Sequence, residues 1–285
     1  MQVLRAATLN VWNRSGPWPE RLKLIRRELA ALSPDVIGLQ EVMRLVNPAT
    51  NEPLSPELDQ AAEIATDLGY RLMFAQGSEY GNGLVMGNAI LSRFPILETR
   101  STRLPDVGTG ERRVIGYALL ETPWGRLPVF VTHFNWRFDH GFVRVKQAVF
   151  SAGWIDEIAP PQAGNLPPLF VGDLNAEPES DEIRFLRGHG VQDGKSVHYA
   201  DAWVYAGDGS QGATFDRKND YARKNCEPPR RIDYILVRGP DAERRGEPLV
   251  AKIVFNTPEP GKDGPVWPSD HFGLYAEIAV EPRNL

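Results

Sequence analysis

Cysteine is almost missing from this 285-residue chain: Cys226 is the only one, so no intramolecular disulfide can form. A reduced, cytoplasmic setting is the simplest reading, although an exported protein without disulfides would look the same. A lone thiol, with neither an HExxH stretch nor paired cysteines, argues against structural zinc. There is no GxSxG elbow and no phosphate-cradling GxxxxGK[ST] loop, which removes two common hydrolase designs. No run of about 18 apolar residues occurs, so no spanning helix is expected. The opening stretch "MQVLRAATLNVW" alternates too strictly and is too poor in apolar residues for a signal peptide. Positive charge is short as well. Lys and Arg number 32 against 37 Asp and Glu, a net charge of −5. That balance argues against broad electrostatic attraction to nucleic acid and leaves room for a local basic groove.

What is present is ordinary for a globular protein: 42% hydrophobic and 24% charged residues. The length suits one large α/β or α+β domain, or two small ones. Residues 2–12 alternate as a strand. In "PERLKLIRRELAALSP" Leu22, Ile25, Leu29 and Leu32 recur at helical steps, with Pro19 in the first turn and Ser33-Pro34 as a stop. "DVIGLQEV" reads as a buried strand, residues 44–57 as a Pro- and Asn-rich loop, and a helix follows near 57–68. Strands are expected at 70–74, 83–92, 96–103, 113–121 and 127–134. A helix over 139–158 would bury Phe142, Val145, Val149, Ala152 and Ile155. A strand at 168–172 and a short helix near 180–187 come next. Residues 206–229 read as a second long loop before strands at 231–237, 249–255 and 272–280. No repeat, low-complexity tract or linker interrupts the chain. Helices separate runs of strands that are joined by short turns, which suits a two-sheet α+β sandwich better than strict βα alternation.

Several of these strands end in unusual polar residues. Asn10 closes "AATLN", Gln40 and Glu41 follow "VIGL", and His133 and Asn135 follow "VFVT". Asp173 and Asn175 end "LFVGDLN", Asp233 opens "DYILV", and Asp270 and His271 precede "FGLY". Asp173 and Asn175, two residues apart on a strand, project to the same side. Any one of these alone is most simply a turn or cap. Together they carry a desolvation cost unless they satisfy one another or a metal. Carboxylate and amide oxygens are hard donors suited to Mg²⁺ or Mn²⁺. With two histidines added, the set matches metal-assisted phosphoester hydrolysis.

The segments "TLNVWN", "LQEV", "THFNW", "GDLNAEP", "RIDYI" and "SDHFG", in this order, resemble the endonuclease/exonuclease/phosphatase (DNase I-like) superfamily. The resemblance spans residues 8 to 273. Each motif is weak alone; six in register are specific for the superfamily and not for a substrate. The resemblance implies a single domain over 1–285: a two-layer β-sandwich flanked by helices, in α/β/β/α order, with the site at one end. It implies metal ligation by Asn10, Glu41 and Asp270. It implies Asp173 as the residue that orients or deprotonates the attacking water, with Asn175 holding that water or a phosphate oxygen. Asp233 would pair with His271, His271 would contact the scissile phosphate, and His133 would stabilise the phosphate or assist the leaving group.

Substrate choice is less legible. Arg112 is expected to face the site in preference to its neighbour Arg113, since adjacent strand residues face opposite ways; Asn135 and Arg137 complete a candidate substrate-binding set. The loop 206–229 is expected to hang beside the site as a recognition flap. Trp12, Trp136 and Trp267 adjoin motif residues and suit either stacking on a substrate or packing. The substrate is then a phosphoester, a diester in the first instance, carried by a small molecule, a lipid headgroup or a nucleic acid. The net negative charge tilts the choice away from nucleic acid. No protein partner is implied and a monomer is expected. The reading from another class, a non-catalytic binding module, predicts loss of one of the seven residues Asn10, Glu41, Asp173, Asn175, Asp233, Asp270 and His271, and all are present.

Overall fold

The first strand, Val3–Asn10, shows how the sandwich is built. Leu4 and Ala6 belong to the apolar layer between two sheets, while Ala7 and Leu9 belong to a second layer under the helix Trp18–Leu32. One strand thus serves two cores, because successive side chains point to opposite faces. The computed structural model describes residues 2–282 apart from Asn51 and Ala163. Two mixed six-stranded sheets pack face to face. The first runs Pro248–Val254, Gly273–Ala279, Val3–Asn10, Val36–Leu45, Leu84–Ser92, Arg71–Glu79. The second runs Ile96–Arg103, Val114–Thr122, Gly125–His133, Leu169–Asp173, Asp233–Val237, Ala200–Asp201. Helices Trp18–Leu32 and Gly141–Ile158 cover the outer faces, giving the expected DNase I-like α/β/β/α layering.

The sheets approach each other closely beside the end that carries the polar motifs. A Cβ on Gly38 would lie 2.4 Å from Val171 Cγ2, so only glycine lets the two strands meet there. Beside it, the pairing of Val36–Leu45 with Leu84–Ser92 shifts between Leu39 and Val42, and Glu41 adopts φ 56°. Such a bulge re-aims a side chain at a sheet's rim. Asn175, Trp12 and Asn13 also have positive φ. Backbone in this region is costly for non-glycine residues and tends to be stored at functional sites.

Several expectations change. Arg44 and Leu45 continue the strand instead of opening a loop, and a 3₁₀ turn at Pro56–Leu58 precedes a short helix, Gln60–Ala65. Phe142 is 56% exposed, not part of the buried face of Gly141–Ile158; Val143 and Ala148 are buried there instead. Residues 206–229 are not a free flap. They hold a helical turn, Asp220–Arg223, whose Tyr221 stacks on Trp12 at 4.8 Å. Asn219 is fully buried and donates to Ser269 O at 2.7 Å. No described helix is long and apolar enough to cross a membrane.

Candidate active site

The strands Val3–Asn10 and Leu169–Asp173 end on facing sheets, and their last residues meet. Asn10 Nδ2 donates to Asp173 Oδ2 at 3.0 Å across the gap. The same NH₂ donates to Glu41 Oε1 at 3.3 Å. The amide oxygen of Asn10 accepts from Trp12 N–H at 2.9 Å. Asn10 therefore faces the carboxylates with its donor end, where metal ligation through its oxygen was expected.

Asp173 is the centre of the cluster. Its Oδ1 accepts Asn175 N–H at 2.9 Å, and its Oδ2 lies 3.4 Å from His133 Nε2 and 3.8 Å from His271 Nε2. Burial raises its pKa, the Asp233 charge adds to that, and His271 with the two amide donors pulls it back, leaving it at about 6. The amide of Asn175 donates to Phe134 O at 3.2 Å and contacts His133 Nε2 at 2.9 Å.

The two histidines are shifted in opposite directions. Burial, then the Arg113 and His271 charges, hold the His133 pKa well below its ordinary value. In its Nδ1–H tautomer the neutral ring accepts the Asn175 amide bond at Nε2, 2.9 Å away. His271 also loses by burial, but Asp233, Asp173 and Asp270 outweigh that and raise its pKa well above the ordinary value. Its Nδ1 lies 3.0 Å from Asp233 Oδ2. Asp233 is itself fully buried and receives its N–H bond partner from Thr214, whose Oγ1 accepts at 3.2 Å. The donor atoms of Asp173, Asp233 and His271 all lie within 4.8 Å of one another, compact enough to hold a metal ion.

Glu41 and Asp270 form a second acidic pair. Glu41 accepts from Asn10 and, at 3.1 Å, from Asn13 Nδ2, with no cation at ion-pair distance among the described residues. Asp270 accepts only a 3.3 Å bond from Ser269 Oγ among the described hydrogen bonds. Burial first, and then Glu41 against the counter-pull of His271 and Arg21, push the Asp270 pKa up to about 7. Two neighbouring acids that make no ion pair among the described residues are the donor chemistry of a hard divalent cation.

The sequence-derived substrate set is dispersed. Arg113, not Arg112, turns inward: it pairs with Glu111 at 2.5 Å, whereas the Arg112 side chain is 50% exposed. Both border a crevice that also holds Glu41, Asn88 and His133. Asn135 is buried with its groups committed to Gln147, Glu111, Arg137 N–H and Arg144. Arg137 is exposed and pairs with Asp139 at 3.2 Å. Two residues went unread in the sequence. Arg21 is fully buried, donates to Ser15 O at 2.6 Å, Pro268 O at 3.1 Å and Val11 O, and so ties the turn after Asn10 to the segment before Asp270. Phe215 packs edge-on against His271, with the ring centroids 5.0 Å apart. Arg21 lies on a surface-like helix face in the sequence, and Phe215 in a charged loop, so neither had a local signal.

The sequence profile of the Endonuclease/Exonuclease/phosphatase family matches residues 7–271. Solved structures share the fold. Truncated TDP2 from Caenorhabditis elegans superposes with a TM-score of 0.70 at 21% identity, covering 97% of this chain and 98% of that one. A Bacteroides thetaiotaomicron family protein gives 0.72 at 18% identity, covering 97% and 98%. One from Leptotrichia buccalis C-1013-b gives 0.68 at 20%, covering 96% and 99%. A search of curated proteins by sequence found no match.

Proposed function

Because this chain belongs to the endonuclease/exonuclease/phosphatase family, we propose that it hydrolyses a phosphodiester by in-line attack of a water activated at Asp173. The observation that carries the reading is Asp173 itself: a buried carboxylate held by two amides, with His133 Nε2 at 3.4 Å and His271 Nε2 at 3.8 Å. With a pKa of about 6 it is ionised at neutral pH yet basic enough to take a proton from water. Asn175, oriented by His133, would hold the water or a phosphoryl oxygen. His271, kept charged by Asp233, would donate to the phosphoryl oxygen as charge builds there, the kind of preorganised contribution that dominates many rate enhancements.

A divalent cation, Mg²⁺ or Mn²⁺, fits the acidic pair, and Glu41 and Asp270 would hold it. It would supply neutralisation of the phosphoryl charge. The Asp173–Asp233–His271 cluster is the other candidate seat, where His271 would bind only as the neutral imidazole. Asn10 would space Glu41 from Asp173 through its NH₂, or join the cation by turning its amide. A diester fits because the site has two walls, the Arg113 crevice beside His133 and Phe215 beside His271, one for each substituent. The whole of 1–285 would act as one such domain.

The test is an initial-rate comparison of a chromogenic phosphomonoester, a chromogenic phosphodiester, DNA, RNA and sphingomyelin with Mg²⁺, with Mn²⁺ and with EDTA. Diester turnover that EDTA abolishes and that Asp173→Asn loses supports the reading. Turnover unaffected by Asp173→Asn overturns it.

A further inference from the structure

Three large aromatic side chains stand in water within seven residues of one another, directly after the His133 strand. Trp136 is 58% exposed, Phe138 60% and Phe142 56%. Isolated exposed apolar residues are normal; three in one short segment that follows the His133 strand call for an occupant.

The segment that carries them is held rigidly. Arg144 donates to Arg137 O at 2.6 Å and to Asn135 O at 3.3 Å, and its guanidinium forms a buried ion pair with Glu182 at 2.6 Å. Asn135 Oδ1 accepts Arg137 N–H at 3.0 Å, closing the turn. The rings are therefore presented by a fixed backbone and pay little ordering entropy on binding.

Through Phe138 the segment also reaches the site. The Arg230 guanidinium, in a residue only 6% exposed, lies 4.6 Å from the Phe138 ring centroid and 5.7 Å from that of Phe215. Phe215 in turn contacts His271. One face of Phe138 rests on a buried cation and the ring remains open to solvent. A cation on one face draws off the electron density that would repel a second π-system on the other.

We propose that Trp136, Phe138 and Phe142 form a stacking platform for a nucleobase attached to one side of the scissile phosphodiester. This rests on the hydrolase reading above and names its substrate class. Stacking on aromatic rings tolerates any base and needs no broad basic surface, which suits a chain of net charge −5. A lipid surface fits less well. The exposed rings alternate with an Arg137–Asp139 ion pair, whereas an inserting loop presents an unbroken apolar tip.

The experiment compares two esters with the same leaving group, thymidine 5′-(p-nitrophenyl) phosphate and methyl p-nitrophenyl phosphate. The expected ratio of kcat/KM favours the nucleoside ester about tenfold or more, the scale of one base stacked on an aromatic side chain. In Phe138→Ala or Trp136→Ala the ratio should fall to within about threefold of unity. Leu97→Ala, equally a loss of an exposed apolar side chain, should keep the wild-type ratio. Binding of a fluorescent short oligothymidylate in EDTA is a second readout, expected to weaken about tenfold in the platform variants. Turnover of both esters with no nucleoside preference overturns the platform and leaves the hydrolase intact. Oligonucleotide binding that depends on these rings, with no turnover of either ester, keeps the platform and overturns the hydrolase. Platform variants that lose sedimentation with phosphatidylcholine/phosphatidylserine vesicles while keeping both the ester ratio and oligonucleotide binding overturn it in favour of a lipid surface.

Discussion

Asp173 and Asp233 stand directly opposite each other on neighbouring antiparallel strands, both buried. Like charges in that position repel. The His271 ring lies against both, Nδ1 at 3.0 Å from Asp233 and Nε2 at 3.8 Å from Asp173, so one imidazolium compensates two acids.

The chemistry should depend on the charge of that imidazole. Asp233→Asn removes the strongest force raising the His271 pKa. We expect kcat to fall about 10²-fold or more. The alkaline limb of the pH–rate profile should move to lower pH. An unmoved limb would show that His271 is not the titrating acid.

Asp173→Asn should lose at least about 10³ in kcat. Its thermal midpoint should be equal or higher, because a carboxylate raised to about 6 by burial is costly to keep ionised. The wild-type rate should climb as pH rises through about 6. A variant that melts early would indicate a structural role instead.

In EDTA the His271 contribution to stability has a definite sign. Its folded pKa lies above its unfolded one, so the native state binds the extra proton. The stabilisation is complete below the ordinary value near 6.5 and is lost as pH rises through the raised folded value. The thermal midpoint gap between wild type and His271→Gln should therefore be widest at mildly acidic pH and shrink in the alkaline range. A gap that widens with pH would contradict the ion-pair assignment.

Metal binding should be readable without turnover. Added Mn²⁺ should raise the thermal midpoint of the wild type at pH 8, since a ligand that binds only the folded state stabilises it by mass action. Asp270→Asn should raise the midpoint in EDTA by relieving the burial of an ionised carboxylate, and should lose most of the Mn²⁺ increment. A full increment in that variant would move the cation elsewhere, with the Asp173, Asp233 and His271 cluster next to test.

Arg144→Ala strands Glu182, 2% exposed, as a buried unpaired charge. The expected loss is about 3 kcal/mol of folding free energy, read by denaturant titration. A loss under about 1 kcal/mol would mean that the segment behind Trp136 is not pinned as described.

The sequence by itself determined the strand and helix pattern and the residues at the strand ends. Period-2 alternation and helical spacing are local, and the polar ends of apolar runs stand out wherever they fall, so "TLN", "LQE" and "GDLN" could be read without knowing what they faced. Which of Arg112 and Arg113 turned inward depended on how the chain enters its strand, and a one-residue difference there reverses the face. Phe142 sat on an apolar helical stripe and yet emerged into water, in the first turn of its helix. The docking of residues 206–229 through Asn219 and Tyr221, the burial of Arg21 and the contact of Phe215 with His271 each join segments far apart in the chain. The opposite pKa shifts of His133 and His271 were likewise decided only by tertiary structure. Each depends on which carboxylates, amides and cations the fold brings within a few ångströms of a buried ring, and local sequence carries no record of that.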